Sequence, residues 1–139
     1  VTKDPPMAAI KQITCETAWQ MLLDNEETIL VDVRTETEWR TVGIPDTSQT
    51  GRAARFVSWT DEHATANPYF ADRTTEGLDP DTPILLLCRS GVRSNAAAEL
   101  LVSMGYTQAI NVIGGFESPQ DPAAGWKAQN PSAQYHDNL

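Results

Sequence analysis

The sequence predicts one α/β domain built on parallel strands, and three observations carry that prediction. Two short runs, Ile29 to Val33 and Pro83 to Cys88, are apolar almost without alternation, as strands covered on both faces are. A helical stretch from about Ser94 stands between the second run and a third, Ala109 to Ile113, the spacing that a right-handed strand, helix, strand crossover needs. The chain has 139 residues, 40% of them hydrophobic, which suits a single core and leaves too little for two.

Each element has a local cause. Thr14 is placed to cap a helix with Trp19, Leu22 and Leu23 on one face, closing near Asp24 and Asn25. The strand Ile29 to Val33 follows. Thr35 with Glu38 three residues on is a capping-box pattern, and the short helix it opens must end at Gly43 and Pro45. From Asp46 to Pro83 the chain is rich in Asp, Thr, Ala and Pro. There only Arg55 to Trp59 reads as a strand, with Tyr69-Phe70 as a packing anchor. In the helix from Ser94, positions Ala96, Ala97, Leu100, Leu101 and Met104 share one face, while Asn95, Glu99 and Ser103 share another. Gly105 falls where a left-handed residue ends a helix. Gly114-Gly115 stops the last strand sharply, Phe116 is expected to pack, and a helical stretch near Trp126-Lys127 precedes a polar tail. One domain over 1–139 is expected, with its core at about 14–127 and polar termini on either side.

Composition excludes several classes of function. Ten basic against nineteen acidic residues give a net charge of −9, which repels a phosphate backbone, so nucleic acid is not an expected partner. The longest apolar runs fall far short of the roughly 20 residues that span a bilayer, and no membrane association is expected. Cys15 and Cys88 form neither a disulfide framework nor, with His63 and His136, a zinc site; both histidines read as surface residues. No metal and no cofactor are expected. The N-terminus has no initiator Met and no apolar signal core, which reads as a trimmed or mature chain, and a cytoplasmic location is expected unless a leader has been removed.

The chemistry concentrates at Cys88. It closes an apolar strand, the loop Arg89-Ser90-Gly91-Val92-Arg93 follows, and a helix begins at once, so its sulfur belongs at the carboxyl edge of the sheet, where open α/β sheets bind ligands. A glycine-containing loop running into a helix N-terminus turns backbone N–H groups inward, and the helix dipole adds about half a positive charge. Arg89 and Arg93 add two permanent charges whose planar forks match sulfonate or phosphate oxygens. These groups favour the thiolate, the nucleophilic form of cysteine, without a histidine base. Cys15 has no such setting and reads as structural, with a resolving thiol as its lesser alternative.

Asp32-Val33-Arg34, Glu38-Trp39, Gly43-Ile44-Pro45, the loop Cys88 to Ser94, and Gly114-Gly115-Phe116-Glu117 with Trp126 downstream resemble the rhodanese family of sulfurtransferases, most closely its single-domain members. The resemblance spans about residues 14–127. It implies a three-layer α/β/α fold around a central parallel sheet of about five strands. It also implies a sulfurtransferase that moves sulfane sulfur from thiosulfate or a similar small anionic donor to cyanide, a thiol or a protein acceptor through a Cys88 persulfide. Cys88 is then catalytic and Arg89, Ser90, Gly91, Val92, Arg93 and Ser94 bind the substrate. Asp32 and Arg34, at the end of a neighbouring strand, are candidates to line the same edge, or else to fix the turn that follows them. Where family members commonly carry a His before the Ile-Pro, this chain has Val42-Gly43, a change expected to bear on structure or donor preference and not on reaction type.

Two rivals remain. A persulfide carrier or interaction module would keep Cys88 and its loop but turn over slowly. A cysteine phosphatase or arsenate reductase also uses a thiolate in an anion loop. Phosphatases of that type, however, place five residues between Cys and Arg, whereas four separate Cys88 from Arg93 and the next position is Ser94.

Overall fold

The computed structural model of the protein describes residues 9–136. A five-stranded, wholly parallel sheet forms its centre, in the order β1, β6, β5, β2, β4. These strands are β1 (Gln12–Ile13), β2 (Ile29–Asp32), β4 (Arg55–Phe56), β5 (Ile84–Leu87) and β6 (Ala109–Val112). A separate antiparallel pair joins β3 (Ile44–Pro45) to β7 (Ser132–Ala133). The helices are α1 (Cys15–Asp24), α2 (Glu36–Val42), α3 (Phe70–Thr75), α4 (Val92–Ser103) and α5 (Trp126–Gln129).

The sheet has a core on each face, which makes the expected three layers. Because side chains alternate along a strand, Leu85 and Leu87 of β5 point to one face and Ile84, Leu86 and Cys88 to the other. On the first face Ala18 and Leu22 of α1, Phe116 from the turn after β6, and Trp126 of α5 close over Leu30, Ile110 and Val112. On the second, Ala97, Ala98 and Leu101 of α4 and Phe70 of α3 cover Val31 and Val33. No helix among the described residues is long and apolar enough to cross a membrane.

The capping signals act as the sequence predicts. The Thr14 hydroxyl accepts the Thr17 N–H, and Thr35 and Glu38 form a complete capping box at the start of α2. Gly105, at φ +101°, follows the end of α4. Three faces are drawn differently from expectation. Leu23, Met104 and Tyr69 are exposed, because the sheet takes Ala18, Leu22, Ala98, Leu101 and Phe70 instead and leaves the neighbouring apolar residues outside the contact. The strand expected over 55–59 is regular for only two residues, although the N–H groups of Val57 and Trp59 still reach the Asp32 and Val33 carbonyls. α4 begins two residues earlier than expected, at Val92. Three strands carry no sequence signal, one of them β3, which stands where only the end of a helix was expected. β1 and β7 are two residues each, too short to show a period, and both lie outside 14–127.

Candidate active site

β5 delivers Cys88 to the carboxyl edge of the sheet, where its residue is fully buried. Two polar groups face its sulfur. The Gly91 N–H lies 3.1 Å from Sγ and the Ser94 hydroxyl 3.2 Å from it. Gly91 caps α4 at φ +94°, a left-handed turn that brings its N–H back over the preceding residues and that a side chain would strain. The competing carbonyls are engaged elsewhere: Phe116 N–H donates to the Cys88 oxygen at 2.7 Å, and the Glu117 and Ser118 N–H groups share the Arg89 oxygen. Gly115 makes this crossing possible, since a Cβ there would lie 2.4 Å from the Cys88 oxygen.

The two arginines of the loop are not alike. Arg93 makes a bidentate pair with Glu38 at 2.6 and 2.9 Å, so the capping box of α2 also anchors the loop. Burial opposes ionisation of Glu38, but the Arg93 hydrogen bonds and charge, helped by the Thr35 N–H, outweigh it and hold the carboxyl below its ordinary range. The Glu38 hydrogen bond is in turn the main cause that raises Arg93, and the charges of Cys88 and Asp32 act on it in the same direction. Arg93 is thus a fixed positive charge beside the sulfur. Arg89 is half-exposed and meets Glu117 through Nε at 3.0 Å. Ser90 and Val92 are exposed on the rim, Val92 at 74%.

Asp32 and Arg34, candidates to line this edge or to fix the turn after them, lie at the end of β2 and just beyond it. Both are fully buried and paired at 2.7 Å, and Arg34 donates to the Gly43 carbonyl and stacks over Phe116 at 4.2 Å. Together they tie β2 to the end of α2. Beside the loop opens a groove of about 640 Å³, walled by Arg89, Ser90, Val92, Ile113, Pro119 and Gln120. Among the described residues no group of three or more His, Cys, Asp or Glu side chains is gathered to hold a metal.

Sequence reasoning missed three members of this arrangement. Glu38 was legible as a cap and, like Glu117, as part of a family motif, but not as a partner of the loop arginines. Asn111 stood as a lone polar residue in an apolar strand, and it proves to be 2% exposed with its amide against Ser94 and Gly91.

Residues 14–121 match the model of the rhodanese-like domain. The chain belongs to that family. A Rickettsia conorii protein, RC0915, is 34% identical over 129 residues, covering 91% of this chain and 99% of its own. The thiosulfate sulfurtransferase GlpE of Coxiella burnetii is 25% identical over 128 residues, covering 92% of this chain and 97% of its own. Among solved structures, that of Rv0390 from M. tuberculosis is similar with a TM-score of 0.82 and 41% identity, covering 92% of this chain and all of the other. This rhodanese-like domain therefore has the fold that its central parallel sheet implied, and its relatives include sulfurtransferases.

Proposed function

We propose that this rhodanese-like protein is a sulfurtransferase that carries sulfane sulfur on Cys88, with thiosulfate or a similar anion as donor. The observation that carries the reading is the position of the Cys88 sulfur, at the end of β5 just before α4, with the Gly91 N–H and the Ser94 hydroxyl oxygen within about 3.2 Å of it. The Cys88 thiolate attacks the outer sulfur of thiosulfate. The donor's S–S bond breaks, its electron pair leaves with sulfite, and the enzyme keeps the outer sulfur as a persulfide. An acceptor nucleophile, cyanide or a thiolate, then attacks that outer sulfur, and the bond to Cys88 breaks with its pair returned to the thiolate. Neither step needs an outside oxidant, and the two half-reactions predict ping-pong kinetics.

The placement of the remaining loop residues supports a role for each. Arg93, held by Glu38, supplies charge at a constant distance from the sulfur. Arg89 on the rim exchanges Glu117 for the incoming anion. The N–H groups of the loop from Arg89 to Ser94 receive the terminal sulfur, and Ser90 and Val92 border the route in.

The test is to incubate the reduced protein with thiosulfate and take its intact mass, with Cys88→Ser in parallel. A gain of about 32 Da, one sulfur atom, in the parent alone supports the persulfide. Sustained thiocyanate production on adding cyanide supports an enzyme, and stoichiometric loading without turnover supports a carrier. No gain with thiosulfate or mercaptopyruvate defeats the reading.

A further inference from the structure

Ser94 carries a single hydroxyl proton, and two groups compete for it. Its oxygen lies 2.6 Å from Asn111 Oδ1 and 3.2 Å from Cys88 Sγ. The orientation of the Asn111 amide is decided by its other partners. Nδ2 donates to the Gly91 carbonyl at 3.0 Å, a group that can only accept, and to Gln12 Oε1 at 2.7 Å. The Gln12 amide is oriented in the same way, since its Nε2 donates to the Ile10 carbonyl and to Asn95 Oδ1. Asn111 therefore turns its oxygen, which cannot donate, toward Ser94, and the Ser94 proton must lie on that contact. The sulfur then meets a lone pair of Ser94, an arrangement that suits a thiol S–H and opposes a thiolate.

We propose that Asn111 is a positioning residue that competes with the Cys88 sulfur for the Ser94 proton. While the sulfur is protonated, Asn111 holds the hydroxyl proton and Ser94 accepts from the thiol. When the sulfur is charged, the hydroxyl turns to it and the bond to Asn111 is given up. Through its other arm Asn111 pins the Gly91 carbonyl, whose residue supplies the N–H donor to the sulfur. One buried amide on β6 thus governs both groups that touch Sγ. This inference rests on Cys88 as the reacting sulfur.

The test follows the ultraviolet absorbance of the thiolate against pH in the reduced full chain. Cys15 does not interfere, because burial pushes its thiol up to about 11. The charged groups around the loop, Arg93 with Glu38, Arg89 with Glu117, and Asp32 with Arg34, stay the same in every variant. Asn111→Leu frees the Ser94 proton for the sulfur and should lower the Cys88 midpoint, giving about fivefold more thiolate below it, the factor one hydrogen bond carries. In the Ser94→Ala background the same change should move the midpoint by less than a third as much. Asn111→Asp, which keeps the acceptor and adds negative charge, should move the midpoint of the parent upward, a reversal that general loosening does not produce. If Asn111→Leu does not fold, Asn111→Ala enters the same comparison. Equal shifts with and without Ser94, or no shift, overturn the proposal. A parent that takes up no sulfur defeats the sulfurtransferase reading instead, and the titration still judges Asn111.

Discussion

The two cysteines of this protein are equally buried, Cys15 as the first residue of α1 and Cys88 between β5 and the loop that leads into α4, yet their surroundings differ. Cys15 opens α1 among Ala18, Leu22, Phe116 and Trp126, and its thiol donates to the Gly115 carbonyl at 3.4 Å. Burial pushes it up to about 11, only partly offset by a backbone hydrogen bond. Cys88 faces an N–H and a hydroxyl, with the fixed charge of Arg93 nearby. Neither burial nor a helix terminus by itself makes a cysteine reactive. The difference is that Cys15 meets only a carbonyl, whereas Cys88 meets a backbone N–H, a hydroxyl that can accept from the thiol or turn to the thiolate, and a nearby positive charge. Gly115 stands between the two sites, giving its carbonyl to Cys15 and leaving room for the Cys88 carbonyl.

The largest effect expected from breaking this contrast is on sulfur uptake. Cys88→Ser should abolish the mass gain with thiosulfate, and Cys15→Ser should keep it within about twofold; equal losses in both would erase the distinction. Next comes Gly115→Ala, whose Cβ would press on the Cys88 and Arg89 carbonyl oxygens at 2.4 and 2.5 Å. Urea unfolding should show a loss above about 4 kcal/mol, the range of severe backbone clashes. Gly51→Ala, at a similar φ of +73° but with nothing within 4 Å, should lose only about 1 kcal/mol.

A smaller effect is expected of Glu38→Gln, which removes the carboxylate that anchors Arg93. Sulfur loading should slow severalfold and stability should fall by about 1 to 2 kcal/mol at neutral pH. The Glu38 carboxyl is held below its ordinary value of 4.5, so its contribution is complete above that pH and is lost as pH falls below it. The parent and Glu38→Gln should therefore converge in stability in acid. The smallest effect concerns Cys15→Ala, which should cost about 1 kcal/mol at pH 7, a few lost buried contacts. Its raised thiol keeps a proton that the unfolded chain releases. The contribution is complete below the ordinary value of 9.0 and declines as pH rises toward about 11. Unfolding midpoints at pH 8 and pH 10.5 should fall more steeply in the parent than in Cys15→Ala.

The parts of the fold that were legible are those whose cause is local. A strand, a left-handed glycine and a helix in immediate succession place Cys88, and Thr35 with Glu38 marks α2, because each signal acts within one turn of chain. The stretch from Asp46 to Pro83 was opaque for the opposite reason. Arg52 there is spent on the backbone carbonyls of Thr28 and Leu22, and Arg55 on that of Thr74, contacts that leave no periodic trace. β7 was hidden likewise, since Ser132 and Ala133 are exposed and only their pairing with Ile44 and Pro45 makes them a strand.

The sequence by itself determined the class of fold, through three apolar runs and the helix between two of them, and the loop after Cys88, which depends on residues within six positions of it. What only the tertiary structure decided is which groups those residues meet. Arg93 finds Glu38 55 residues away, Arg89 finds Glu117 28 away, and Ser94 finds Asn111 17 away, all at the sheet edge where separate βα loops converge. Pairings of that kind are set by the order of strands in the sheet, and the order belongs to the packing of both faces at once, not to any single segment of the chain.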